Sequence, residues 1–423
     1  TTVFPYALIK YGNRTQIVNL LKNQLGLSGE ENLNNSIENL EYAFAEAIRH
    51  LTQDKVEKIA FLEGHGELTE RYVYDLTQAL AQYYQVDRGI LGTESGVLDG
   101  YKAVIIADPQ LPFSETDKYI LDQYVMQGGR LLWVVNGVRF SEDFLSSQGA
   151  TPIIALELNI NDLLFRYGIR INHALVQDLQ CMPVPVDVSN DPSAPNWQPL
   201  PWTYAPLLLT SQTSPITRNV AQVSATMASA VDIVGEEDGL HKEVLLATST
   251  ASKLTSVPAR VDLSLGVDNE QSFQHAFIPV AVSIEGSFPS LYAYQLPPEK
   301  ITPHTPLIKQ SKITKQIIVA AGSTIRNEWQ NDTPLPLGYD RYTQRQFGNR
   351  DFMVNAVLYL TDDQGWMQLR QKEFPLRLIN DQRAQKTRIL AQVISVFIPL
   401  VILALVGGSI IQIRKRQNVK HIL

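Results

Sequence analysis

The stretch YKAVIIADPQLPFSETDKYILDQYVMQGGRLLWVVNG, from Tyr101 to Gly137, decides how this chain folds. YKAVIIAD is a short continuous apolar run, the pattern of a buried strand. SETDKYILDQYVMQGG reads as a helix closed by the Gly128-Gly129 pair, and RLLWVVNG, from Arg130 to Gly137, as the next buried strand. Upstream, VEKIAFL is a further strand, followed by a GHGE turn and a helix through Thr69 to Tyr84. Strands that alternate with helices at this spacing predict an α/β fold built on a parallel, helix-covered sheet.

Further upstream, SIENLEYAFAEAIRHL sets Ile37, Leu40, Phe44, Ile48 and Leu51 on one helical stripe, with Ser36 as N-cap, and this stripe is expected to pack. A polar hinge covers Thr52 to Lys55. Downstream, eight prolines fall in the 33 residues from Pro183 to Pro215, interleaved with Trp197, Trp202 and Tyr204. Such a density of proline predicts a long ordered loop without regular structure, and its aromatics predict that it packs on the domain or on a partner, with Trp197, Trp202 and Tyr204 as the candidate partner contacts. The apolar segments VLLATST, HAFIPVAVSIEG and KQIIVAAG follow, then a helix in FGNRDFMVNAVLYLTDD.

The 423 residues are 44% hydrophobic and 19% charged, enough for two or three domains with cores of their own. The net charge of -7 is not gathered into a block, and no basic stripe interleaves with aromatics, so nucleic acid is not an expected partner. Cys181 is the only cysteine, which excludes an intrachain disulfide and any CxxC metal or redox site.

AQVISVFIPLVILALVGGSIIQI, from Ala391 to Ile413, carries no charged residue. As a helix it would be about 34 Å long, enough to cross a hydrocarbon core of about 30 Å. Arg414, Lys415, Arg416 and Lys420 follow it, so the positive-inside rule puts the tail in the cytoplasm and the bulk of the chain on the other side. The first residues, TTVFPYALIKYG, read as a strand with no initiator methionine or signal peptide, and the natural protein is expected to continue upstream. The expected divisions are residues 1–53, the end of a first domain; 54–385, the main α/β domain with the loop 183–215; 386–414, the membrane helix; and 415–423, a cytoplasmic tail.

In an open α/β sheet, ligands collect at the carboxyl ends of the strands, where GHGE lies. Three readings stay open there. An extended chain would turn Glu63, His65 and Glu67 to one face, as metal ligands; His65 and Glu67 would contact a polar ligand or protein; or the segment is a structural turn with His65 bonded to backbone. The two glycines argue against the first. Asp108 ends a strand and would face the same cleft, or would simply start a turn before Pro109. Cys181 reads as a buried inert thiol, and no GxSxG, HExxH or Walker loop is present. No cofactor, metal or catalytic residue is therefore assigned.

Taken together, EENLNNSIENLEYAFAEAI, IAFLEGHGE, the Tyr101 to Trp133 run, PVAVSIEGSFPS and FGNRDFMVNAVLYLTDDQGWMQLRQKE resemble the GldG family of gliding-motility ABC transporter accessory proteins. The resemblance implies an inner-membrane protein with a periplasmic, amidotransferase-like domain, partnered by a GldF-like permease and a GldA-like ATPase and linked to type IX secretion in Bacteroidota. Active amidotransferase-like domains present a cysteine at a strand-to-helix elbow. None lies near these strands, which implies a non-catalytic binding version, with carbohydrate or peptidoglycan as ligand. Where relatives tend to carry an acidic residue, this chain has Ala321-Gly322-Ser323. The alternative expectations are a tethered cell-wall carbohydrate enzyme using His65 and Glu67, and a structural hub of the motility or secretion machinery docking through Trp197 and Trp202.

Overall fold

The computed structural model describes residues 5–21, 28–52, 56–187, 189, 196–235, 239–263, 270–302, 306–371 and 381–420. The chain divides into two compact units, Thr1–Lys372 and Glu373–Leu423. In the first, an antiparallel hairpin of β1 (Tyr6–Tyr11) and β2 (Arg14–Asn19) packs on the long helix α1 (Gly29–Thr52). Then come β3 (Glu57–Leu62), α2 (Tyr74–Leu80), β4 (Tyr84–Gly89), β5 (Tyr101–Ala107), α3 (Glu115–Met126) and β6 (Leu131–Val134). The chain continues through β7 (Val138–Arg139), α4 (Glu142–Gln148), β8 (Ala150–Ala155), α5 (Asn161–Arg166), β9 (Ile169–Asp178), β10 (Cys181–Asp187), β11 (Trp197–Thr210), β12 (Val223–Ser224) and β13 (Ser229–Ile233). It closes with β14 (His241–Ala247), β15 (Ser252–Ser256), β16 (Ala259–Asp262), β17 (Pro279–Pro289), β18 (Gln310–Val319) and α6 (Asn349–Thr361).

The main sheet runs β10-β11-β14-β17-β18-β6-β5-β3-β4. From β18 to β4 every pairing is parallel, as the sequence predicts, but from β10 to β18 every pairing is antiparallel. The sheet is therefore mixed rather than parallel. A parallel pair needs a crossover of a dozen or more residues, usually a helix. Among the described residues no α-helix lies between α5 and α6, so the strands in that span return against their neighbours.

The parallel half is covered on both faces, and the period of two in each strand decides which residue goes where. Ile59, Phe61, Ile105, Ala107, Leu132, Val134, Ile317 and Val319 pack under Leu76 and Leu80 of α2 and Phe352, Met353 and Ala356 of α6. The alternate set, Ala60, Leu62, Val104, Ile106, Leu131, Trp133 and Ile318, packs under Ile120, Leu121 and Val125 of α3 and Leu163 and Leu164 of α5. Each fully buried Ile or Leu contributes roughly 1.5–3 kcal/mol, so these two layers supply most of the apolar stabilisation. Helix α3 starts at a capping box between Ser114 and Asp117, and just past its end the chain turns at Gly128, whose φ is +100°. At Gly129 a Cβ would sit 2.5 Å from the Tyr124 ring, so the turn from α3 into β6 has no room for another residue.

Two expectations are corrected. The Pro-rich segment is not irregular: β10 and β11 form an antiparallel ribbon in which Pro183 faces Pro201 and Pro185 faces Pro199. Proline cannot donate to a ladder, but it fits at the pairs of an antiparallel ribbon that exchange no hydrogen bonds, and here the proline pairs alternate with Val184–Leu200 and Val186–Gln198. The middle of that segment, 190–195, lies outside the described residues, as do residues 53–55 of the expected hinge. Helix α1 does pack, but mainly by another face: Ser36, Asn39, Tyr42, Ala47 and Leu51 are buried, whereas Phe44 and Ile48 are 36% and 51% exposed. Tyr42 decides this. It stacks on Trp366 at 5.2 Å, and its hydroxyl reaches the Met367 sulfur.

The second unit is the 40-residue helix α7 (Asp381–Lys420). Its segment Gln392–Gln412 is long and apolar enough to cross a membrane, and none of it is buried. Pro399 lies within it.

Candidate functional site

The carboxyl ends of β3, β5, β6 and β18 lie side by side, and the loops that leave them build one cleft. After β3 the chain turns at once. Gly64 and Gly66 have φ of +116° and +73°, so the segment is not extended and the alternation that would align Glu63, His65 and Glu67 is broken. Glu63 turns to Arg88, with 2.7 Å between Oε1 and Nε. Among the described residues no group of His, Cys, Asp or Glu is arranged to hold a metal ion.

His65 is 6% exposed and stacks on Phe113, ring to ring at 3.8 Å. Its Nδ1 lies 3.0 Å from Glu67 Oε1 and its Nε2 lies 3.3 Å from Asp117 Oδ2. The second oxygen of Glu67 accepts the His65 backbone N–H at 2.6 Å, and the His65 carbonyl accepts the N–H groups of Gln110 and Leu111. Burial pushes the imidazole toward neutrality, but the hydrogen bonds and charges of Asp117 and Glu67 outweigh it and raise the pKa to about 9. Asp117 is held below the usual carboxylate range against its own burial, through His65 and Ser114. Asp117 is also the capping-box acid of α3. His65 thus clamps the β3 turn to the start of α3 and to the loop after β5, and both ring nitrogens are engaged.

Asp108 lines the cleft itself. It ends β5 with φ of +53°, a left-handed conformation that its short polar side chain tolerates. Asn136, after β6, donates to its Oδ1 at 2.8 Å and accepts the Gly322 N–H, after β18, at 2.9 Å. A Cβ on Gly322 would lie 2.1 Å from Asp108 Oδ1, so only glycine allows this approach. Burial raises the Asp108 pKa to about 7; Arg326 opposes that rise and Glu142 adds to it.

Two adjoining cavities make up the cleft. The smaller one, ≈ 300 Å³, holds Asp108, Asn136, Gln110 and Gly66. The larger one, ≈ 530 Å³, holds Arg71, Trp329, Tyr339 and Arg341. Tyr72, Phe140, Glu142 and Arg326 line both. Arg326 lies over the Tyr72 ring at 4.6 Å and pairs with Glu142 at 2.5 Å.

Of the residues singled out in the sequence, Asp108 faces the cleft, His65 and Glu67 brace its floor, and Glu63 lies apart. Asn136 ends a recognisable strand, in WVVNG, and the rule that pointed to Asp108 applies to it equally. Arg326, Glu142 and Tyr72 carry no sequence signal, because they come from segments that only the tertiary fold brings together. The aromatics of the Pro-rich ribbon divide. Trp202 is 6% exposed, in a satellite core with Met227 and Val261, and donates its indole N–H to the Asp262 carbonyl at 3.0 Å. Tyr204 packs beside it, while Trp197 is 62% exposed. Cys181 sits half-buried in β10, and burial pushes its thiol up to about 11, which suits an inert residue.

Fold and cleft together define a mixed α/β protein with a polar cavity at the carboxyl ends of its parallel strands, followed by a helix long and apolar enough to cross a membrane. Residues 56–356, most of the chain and all of the cleft, match the family described as ABC-type uncharacterized transport system, and the chain belongs to that family of ABC transport auxiliary proteins. Among solved structures it is similar to "mmIFT52 N-terminal domain", at 15% identity and a TM-score of 0.42, over 73% of this chain and 99% of that one. No curated protein matches it.

Proposed function

We propose that this chain is a non-catalytic subunit of an ABC transport complex, anchored by α7, with its folded region on the periplasmic side and a polar ligand, carbohydrate or protein, bound in the cleft. The family match carries the proposal, since it assigns an auxiliary role in transport to the region that contains the cleft. An apolar span followed by Arg414, Lys415, Arg416 and Lys420 supports a cytoplasmic tail and hence the orientation. A permease and an ATPase, GldF-like and GldA-like, are the proposed partners, and gliding motility and type IX secretion the proposed setting. The burial of His65 between two carboxylates supports a bracing role over acid/base catalysis. Purification from native membranes in mild detergent, with mass spectrometry of stoichiometric partners, tests the assignment. Recovery of a polytopic permease and an ATPase is expected. Recovery of the chain alone, or with secretion components only, overturns it.

A further inference from the structure

The charges that line the larger cavity are not evenly committed. Three guanidinium groups, those of Arg71, Arg326 and Arg341, line it together with the carboxylates of Glu142, Glu328 and Asp340. Asp340 is spent on its own turn, where it accepts the backbone N–H groups of Tyr342 and Thr343. Glu328 is 3.8 Å from Arg341 with its side chain 58% exposed, a looser pair than Arg326 and Glu142 at 2.5 Å. The partner of Arg71, Asp332, is 92% exposed and does not line the cavity. That leaves Glu142 as the close carboxylate within the cleft, and it stands on α4, a seven-residue helix with no buried residue. Arg326 is placed very differently. Its guanidinium carbon lies 4.6 Å from the centre of the Tyr72 ring, both residues line both cavities, and the side chain is only 33% exposed before any ligand arrives.

We propose that Glu142 occupies, within the molecule, the place of a ligand's anionic group. The cleft binds a ligand bearing a carboxylate or phosphate, which takes Arg326 over Tyr72 while Glu142 moves away with α4. Planar, forked guanidinium suits either anion, because it donates two parallel hydrogen bonds to paired oxygens. The rest of such a ligand extends toward Asp108 and Asn136, which offer a carboxyl and a carboxamide rather than a second cation. Glu142 then acts as a selective stopper: an uncharged ligand cannot displace it from Arg326, and an anion can. This rests on the reading of the cleft as the ligand site.

Calorimetric titration of the full-length protein in neutral detergent tests it, with pyrophosphate as the phosphate probe and citrate as the carboxylate probe. Saturable one-to-one binding of at least one probe is expected, and the stronger of the two identifies the anion. Glu142→Gln removes the internal competitor and tightens binding several-fold. Arg326→Gln weakens it by at least about tenfold. Absence of binding in both the wild type and Glu142→Gln overturns the inference, as does an Arg326→Gln protein that binds like the wild type. Should Arg326→Gln fail to fold, Glu142→Gln decides alone, since unchanged affinity refutes a stopper. The titration needs no transporter partner, so its failure is separate from a failed copurification.

Discussion

Replacing His65 with glutamine keeps a polar side chain between Glu67 and Asp117 but removes the ionisable group, and its effect on stability depends on pH in a calculable way. The imidazole pKa rises from 6.5 to about 9 on folding, because two carboxylates contact a ring that is otherwise buried. A histidine with a raised folded pKa binds its proton more tightly in the native state. Its contribution is therefore complete below the unfolded value and is lost as pH climbs through the folded value. The rise corresponds to roughly 3 kcal/mol, most of it present at about pH 6 and nearly gone by about pH 10. Urea denaturation of wild type and His65→Gln across that range measures the difference directly. The stability gap should be widest at the acid end and close toward the alkaline end. Two curves that run parallel would refute the assignment of a protonated clamp, and would leave His65 as a neutral ring held by stacking on Phe113.

Asp108 should titrate near 7 by carboxyl-carbon NMR; Glu142→Gln should shift its midpoint down and Arg326→Gln should shift it up, following the sign of the charge removed. Gly322→Ala forces a methyl group into the Asp108 carboxylate, and a loss of about 1–3 kcal/mol is expected in thermal or chemical denaturation, with the Asp108 resonance displaced. Trp202→Ala should cost about 3–5 kcal/mol because it empties a buried site and abandons the Asp262 carbonyl. Trp197→Ala should change stability by less than about 0.5 kcal/mol, so that a loss of a copurifying partner in that variant reports contact rather than unfolding.

The parallel half of the sheet and the membrane-length helix are legible in the order of the residues. Continuous apolar runs such as VIIA and LLWV fit only a strand covered on both faces, and a charge-free run the length of α7's core has no polar side to show water. It also put Asp108 directly after a buried strand, and hence at the carboxyl end of the sheet. The rest depends on contacts between segments far apart in the chain. Prolines in β10 and β11 discourage regular structure one residue at a time, and only their opposition on alternate pairs of a ribbon lets both strands form. Period alone gave α1 one apolar stripe; stacking of Tyr42 on Trp366, more than three hundred residues away, chose a different face. The ligand edge follows the same logic. Tyr72, Glu142 and Arg326 belong to three separate loops, and their chemistry exists only because parallel pairing of β3, β5, β6 and β18 brings the ends of those strands together.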